Sequence, residues 1–222
     1  MSPRNSAEGA AATRTAIVSR ALARASVEGL EGMTIGHLAA DLGMSKAGVV
    51  GPFGSKQALQ LAVFGHAMDG FAAQVWAPAA GLAPGRDRLV AVCERWIDYL
   101  AGPPFPGGCL MTTSATEWDA RDGPVRDAVL AAQGRWLAVL EADAETAVRA
   151  GELPADTDAA QVAFELSGVA LSLNQAIQLL RDPDAAARAR RAVARILTPP
   201  APPGCERSHT CVIEESVSAH QA

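Results

Sequence analysis

Two short apolar stripes, separated by only two residues, constrain this chain more than anything else in it. Ile35, Leu38, Ala39 and Leu42 recur at the spacing of one helix face, with Thr34 in front of them as an N-cap. Gly43 stops that helix, and Ser45 caps a second, very short one that runs to about Val50. Gly43 and Met44 are the whole connection, and glycine accepts the backbone conformation that a residue with a Cβ resists. A short amphipathic helix, a turn with glycine and another short helix have the sequence shape of a helix-turn-helix.

Helical patterning surrounds this pair. Ile17, Val18, Ala21, Leu22 and Ala25 form a stripe that starts near Thr13 and ends near Gly29. Ser55 caps a longer helix with Leu59, Ala62, Val63, Ala67, Phe71 and Val75 turned inward, punctuated by Pro78 and Pro84. Further helices are expected at about 87–100, 109–118, 125–150, 159–180 and 185–197, with a Pro/Gly-rich loop at 102–108. Residues 1–12 are small and polar and read as a frayed arm; residues 198–222 open with prolines and read as a disordered tail. The expected organisation is therefore arm 1–12, head 13–60, body 61–197 and tail 198–222. Aromatic residues make up 5% of the chain, and the alternation of strands is hard to find, so the fold class is all-α.

Composition excludes several classes. With 222 residues, 49% hydrophobic and 19% charged, the chain can bury a core and does not have the make-up of a disordered protein. No apolar run is long enough to span a bilayer and no secretory signal is visible, so a cytoplasmic protein without a membrane partner is expected. No GxGxxG, Walker loop, HExxH or GxSxG occurs, and the only Glu-x-x-His spacing, Glu206–His209, sits in the tail. An enzyme is not expected, nor is a cofactor. Cys93 and Cys109 read as buried small hydrophobes. Cys205, His209 and Cys211 offer three ligands without a fourth at metal-site spacing, so no metal site is assigned. Net charge is −5, yet in residues 1–56 the basic side chains outnumber the acidic ones by two. That split marks a local part able to face a polyanion.

The stretch 17–64 resembles the DNA-binding domain of TetR-family transcriptional regulators. The residues that carry the resemblance are Ala21-Leu22, Gly29, Met33-Thr34-Ile35, Leu38-Ala39, Leu42-Gly43-Met44-Ser45-Lys46, Phe53, Ser55-Lys56 and Leu59. Gly107-Gly108-Cys109-Leu110 and Gly123-Pro124-Val125-Arg126 are similar to a subset of such regulators. The resemblance implies a three-helix head with a helix-turn-helix, and a C-terminal helical bundle that binds a ligand and dimerises. It further implies a homodimer on a palindromic double-stranded DNA operator, released by a small-molecule effector, and more often a repressor than an activator.

In such a head the second helix of the motif enters the major groove, its N-terminal residues nearest the bases. Here that helix reads Ser45-Lys46-Ala47-Gly48-Val49-Val50. Lys46 can reach a phosphate or a guanine edge, and Ala47 and Gly48 let the backbone approach. Thr34 offers a hydroxyl and helix-start N–H groups to a phosphate; Lys56 and Arg14 add cationic contacts. Lys46 and Lys56 are the only lysines of the chain. The expected DNA-facing set is thus Arg14, Thr34, Ser45, Lys46, Ala47, Gly48, Val50 and Lys56. Val50, Gly51 and Pro52 stand where the family usually has aromatics and a histidine, and Pro52 should end the recognition helix by Gly51. This departure leaves a second reading open: a family member that binds a small molecule or protein but no specific DNA.

The body needs a mostly apolar pocket between helices. Its candidate lining residues are Trp96, Tyr99, Phe105, Met111, Trp118, Trp136, Phe164 and Asn174, the last in an apolar helix. Small residues Ser167, Gly168, Ala170, Ser172 and Ala176 suit a close helix–helix seam between two copies.

Overall fold

A computed structural model describes residues 3–102 and 105–199. Among these residues the structure is helical and contains no strand. Helix α1 (Pro3–Gly32) opens the chain, so the stretch expected to fray from residue 3 to residue 12 continues the helix backwards instead. Its alanine content makes that extension inexpensive. Gly29 breaks the helix internally with φ 78° and ψ 163°, as the end near Gly29 required.

The next three helices are set by three hydroxyl caps. Thr34 Oγ1 accepts from His37 N at 3.2 Å and starts α2 (Ile35–Leu42). Ser45 Oγ accepts from Gly48 N at 3.0 Å and starts α3 (Lys46–Val50). Ser55 Oγ accepts from Ala58 N at 3.0 Å and starts α4 (Lys56–Phe71). Between α2 and α3, Gly43 takes the left-handed conformation (φ 62°), and Met44 N donates back to Ala39 O at 2.9 Å. Ile17, Leu22, Leu30, Met33, Leu38, Val49, Leu59 and Val63 close the core of this head.

α4 does not stop at the head. It runs into a π-helical turn at Ala72–Trp76, closed by Ala77 N on Ala72 O at 2.8 Å, before Pro78 prevents continuation. The expected boundary after residue 60 therefore falls inside α4, whose Val63, Phe64 and Ala67 belong to the head core while Phe71 belongs to the body core.

The body comprises α5 (Arg86–Ala101), α6 (Leu110–Glu117), α7 (Pro124–Arg149), α8 (Ala159–Gln178) and α9 (Ala185–Ile196). Phe71, Trp96, Tyr99 and Trp136 form its aromatic centre. Phe71 stands edge-on to Trp136 at 4.9 Å and to Tyr99 at 5.4 Å, and Trp96 is edge-on to Trp136 at 5.2 Å. Arg88 in α5 forks onto Asp143 in α7, whose carboxylate is almost wholly buried and is satisfied by that fork. Arg190 of α9 reaches Glu94 and Asp98 of α5 at 2.7 and 2.6 Å. Cys93 and Cys109 are buried free thiols, and burial pushes the Cys93 thiol up to about 12. No described helix is long and apolar enough to cross a membrane.

Inside the head, Asp41 at the end of α2 accepts from Arg20 and Arg24 of α1. The hydrogen bonds from Arg24 and then Arg20 hold its carboxyl well below the usual carboxylate range. A depressed folded-state value means that the pair stabilises the head above the ordinary carboxylate value and loses that contribution as pH falls toward the depressed one. Asp41→Asn should therefore lower the melting temperature at pH 7. The gap to wild type should narrow as thermal scans move into acid; a gap independent of pH would contradict the pairing.

Candidate nucleic-acid interface and effector cavity

The N-terminal end of α3 faces solvent. Ser45, Lys46 and Ala47 are exposed, Gly48 is half-buried, and Val49 is fully buried and anchors the helix to the head core. Lys46 makes no hydrogen bond or ion pair among the described residues, and its stem lies across Gly36, where a Cβ would sit 3.5 Å from Cε. Thr34 is exposed at the start of α2. These residues form one small-residued, cation-bearing tip, supported from below by packing.

The other three candidate residues of the head are placed differently. Arg14 is exposed, but its guanidinium lies 4.2 Å from the centroid of the Phe53 ring, a cation–π contact that ties α1 to the loop after α3. Lys56 donates to Glu31 O at 2.8 Å and lies 3.5 Å from Glu31 Oε1, so it caps the end of α1 rather than standing free. Val50 is half-buried at the end of α3 and sits away from the tip. Gly51 N still makes the helical bond to Ala47 O at 2.8 Å, and α3 ends there because Pro52 has no N–H to continue the ladder; a Cβ on Gly51 would come within 2.9 Å of Ala47 O.

The end of α1 is held from two sides. Because Gly29 breaks the helix, the N–H groups of Leu30 and Glu31 have no partner within it. Glu117, the last residue of α6, accepts both, at 2.8 and 2.9 Å. Gln60 of α4 donates to Leu30 O at 2.8 Å and to Glu31 Oε2 at 3.0 Å. The Gln60 hydrogen bond, with Lys56 beside it, holds the Glu31 carboxyl below its ordinary value. A Cβ on Gly29 would sit 2.5 Å from Glu117 Oε1. One loop further, Gly107 N donates to Ser26 Oγ at 3.2 Å, and a Cβ on Gly107 would fall 1.7 Å from Ser26 O. The body thus grips α1 at two points that admit only glycine.

Two cavities open in the body on either side of Met111. The larger, about 600 Å³, lies among α5, α6, α7 and α8; its walls include Trp96, Met111, Thr112, Thr116, Asp119, Gln133, Leu137, Glu141, Phe164 and Leu171. The smaller, about 300 Å³, lies beside the π-helical turn and includes Trp76, Met111, Arg135 and Trp136. Of the candidate pocket residues, Trp96, Met111 and Phe164 line the larger and Met111 and Trp136 the smaller. Phe164 is 70% exposed, so it forms the rim rather than the floor. Tyr99 is packed in the aromatic centre and lines neither cavity. Phe105 and Trp118 belong to the seam between head and body, because the head core continues onto α6 and α7. Asn174 is spent on structure: its Oδ1 accepts from Cys109 N at 3.3 Å. Cys205, His209 and Cys211 lie outside the described residues, and among the described residues no cluster suited to a metal ion occurs.

Sequence reasoning missed Glu117, Gln60, Asp119 and Glu141. Glu117 and Leu30 are 87 positions apart, and no local pattern marks such a partner.

Comparisons with known proteins agree with this architecture. The model described as tetracyclin repressor-like, C-terminal domain, matches residues 85–193. A TetR transcriptional regulator from Chloroflexus aurantiacus is 26% identical, with a TM-score of 0.76, covering 86% of this chain and 96% of that one. A TetR-family regulator from Cytophaga hutchinsonii is 18% identical, with a TM-score of 0.72 and coverage of 85% and 94%. AibR, solved with isovaleryl coenzyme A and operator DNA, is 23% identical, with a TM-score of 0.71 and coverage of 84% and 99%. No curated protein matches the chain. The body thus matches the tetracyclin repressor-like C-terminal domain, and the described chain has the architecture of TetR-family transcriptional regulators.

Glu117→Ala should cost about 1 kcal/mol through loss of the cap on α1, read as a lower melting temperature at unchanged helix content. Gly107→Ala should be more damaging, because the clash is with backbone. A melting temperature untouched by either change would contradict the two-point grip.

Proposed function

We propose that this chain is an effector-responsive DNA-binding regulator that acts as a homodimer on a palindromic operator, as a repressor. The observation that carries the reading is the exposed tip of α3: Ser45, Lys46 and Ala47 stand clear of the body while Val49 roots the helix in the head. In this reading the tip enters a major groove, Lys46 contacts a phosphate or base edge, and the α2 start at Thr34 receives a phosphate. Arg14 and Lys56 act mainly as braces for the head, and their charge contributes to DNA attraction from those braced positions.

The dimer forms through the outward face of α8 and its groove against α9. Phe164 and Leu171, which also rim the larger cavity, lie seven residues apart on α8, both exposed, with Gly168 between them allowing close approach, so the seam runs along the cavity mouth. Two-fold pairing presents two α3 tips to successive major grooves, a spacing of about 34–36 Å. That AibR was solved with both a small molecule and operator DNA supports a body that takes an effector.

The effector enters the larger cavity. Met111, Thr112, Ala115 and Thr116 of α6 line it, and α6 ends on the Glu117 carboxylate that holds the end of α1. A ligand that prefers one position of α6 therefore prefers one position of α1, and with it one separation of the two heads. Coupling of this kind typically amounts to about 1–3 kcal/mol, or roughly 5–150-fold in operator affinity.

Selection of genomic fragments on purified protein should enrich one palindrome. On that duplex Lys46→Ala should weaken binding about tenfold or more and reduce the salt slope by about 1, with the melting temperature unchanged. Phe164→Glu with Leu171→Glu should give monomers in sedimentation and abolish tight operator binding. Failure to enrich any sequence, with ligand binding intact, supports instead the non-DNA-binding reading that the Val50-Gly51-Pro52 segment raises.

A further inference from the structure

Helices α8 and α1 have no principal packing partner in common. α8 packs chiefly on α5, α7 and α9, and α1 on α2, α4 and α6. One short segment nevertheless bonds to both. Gly107 N donates to Ser26 Oγ of α1 at 3.2 Å, and two residues later Cys109 N donates to Asn174 Oδ1 of α8 at 3.3 Å. Extended backbone spans at most about 7 Å over that interval, so the segment holds the two helices at a short separation.

This strap is built with little tolerance. Ser26 is buried, and its hydroxyl donates to Ala23 O at 2.8 Å, so toward Gly107 it acts as an acceptor. A Cβ on Gly107 would fall 1.7 Å from Ser26 O. Gly108 lies in the left-handed region, with φ 84°, and a Cβ there would come 2.8 Å from Asn174 Oδ1 and 2.9 Å from Gln178 Nε2. Cys109 is buried and leads directly into α6. Bare backbone therefore lies against α1 at one end and against α8 side chains at the other, with no glycine side chain between them to give way.

We propose that this strap sets how far each head stands from the two-fold axis, with Asn174 as its positioning residue, and so specifies the half-site spacing of the operator. The inference rests on the reading of the chain as a homodimer, paired through α8, on palindromic DNA. Asn174 lies about one turn beyond Leu171 of the seam, so its place relative to the axis is set by the pairing itself. From there position passes through Cys109 and Gly107 to Ser26, three residues before the Gly29 break, and into the head. Symmetry doubles any displacement. A head that shifts by about 1.7 Å along the duplex changes the separation of the two α3 tips by about 3.4 Å, the rise of one base pair. The Glu117 contact, by contrast, ties α1 to α6, which lies outside the seam.

Operator binding is measured by fluorescence anisotropy on a panel of duplexes in which the two halves of the selected palindrome are moved together or apart by one base pair and by two. Wild type should prefer one spacing over its neighbours by about tenfold. Asn174→Ala should reduce that preference to about threefold or less, and Asn174→Asp, which keeps the acceptor, should restore it. Ser26→Ala leaves a good helix former in α1 and removes the other anchor. It should flatten the profile as Asn174→Ala does, and combining the two should flatten it no further. Sedimentation and circular dichroism check that each variant is a folded dimer; should Asn174→Ala fail that check, Ser26→Ala decides. Equal weakening at every spacing, with the preference intact, would make the strap a prop for the fold and overturn the proposal. Asn174→Asp behaving as Asn174→Ala does would overturn it too. A wild type indifferent to spacing would do the same while leaving the DNA-binding reading in place. A wild type that binds no palindrome would remove that reading together with the inference.

Discussion

The carboxylate of Glu117 accepts the N–H groups of Leu30 and Glu31, and most of what this molecule can do as a unit depends on that contact. The donors are free because Gly29 adopts a conformation that interrupts α1 and starts a final turn with its own exposed N-terminus. The carbonyl side of the same turn is satisfied by Gln60 and Lys56 from α4. The head core is built mainly by α1 to α4, from Ile17 to Ala67. Its apolar cluster is completed by Leu110, Trp118, Val125 and Val129 from the body. Head and body are therefore joined by shared core and by directed hydrogen bonds.

The same arrangement explains why two lysines at comparable places in the motif have different uses. Lys46 sits at the first turn of a helix only five residues long, with nothing opposite it but the flat side of Gly36. Lys56 begins a long helix that packs beside the end of α1, and the nearest acceptors are the Glu31 carbonyl and carboxylate. A cation so placed stabilises the joint, whereas Lys46 makes no such bond among the described residues. In the body the distinction is similar. Arg88 on Asp143 and Arg190 on Glu94 and Asp98 fasten helices together, whereas Asp119 and Glu141 face open space.

Most of the fold was legible in the sequence because local rules set it. Thr34, Ser45 and Ser55 announce helix starts, Gly43 announces a stop, and each does so through a bond within four residues of itself. The single-faced stripe of Ile17, Ala21 and Leu22 likewise named its buried side. The extension of α1 back to Pro3 was not legible, since a small polar run with several alanines suits a frayed arm and a helix equally well. The site was legible only in part. The tip of α3 could be read because it is contiguous. The cavity could not, because four helices contribute to it and aromatic residues look alike whether they line a space or fill one. Tyr99, Phe105 and Trp118 turned out to be packing, and Asn174 a backbone clamp, while the cavity carboxylates carry no periodic signature at all.

The joint at the end of α1 is tested most directly by amide hydrogen exchange, comparing free protein with protein bound to its selected operator duplex. Linkage is reciprocal, so occupation of the head must be felt at the body. The account predicts altered protection at the Leu30 and Glu31 amides and along α6 (Leu110–Glu117) when DNA binds, in addition to changes in residues 34–56. Changes confined to residues 34–56, with Leu30, Glu31 and α6 exchanging as in the free protein, would contradict it.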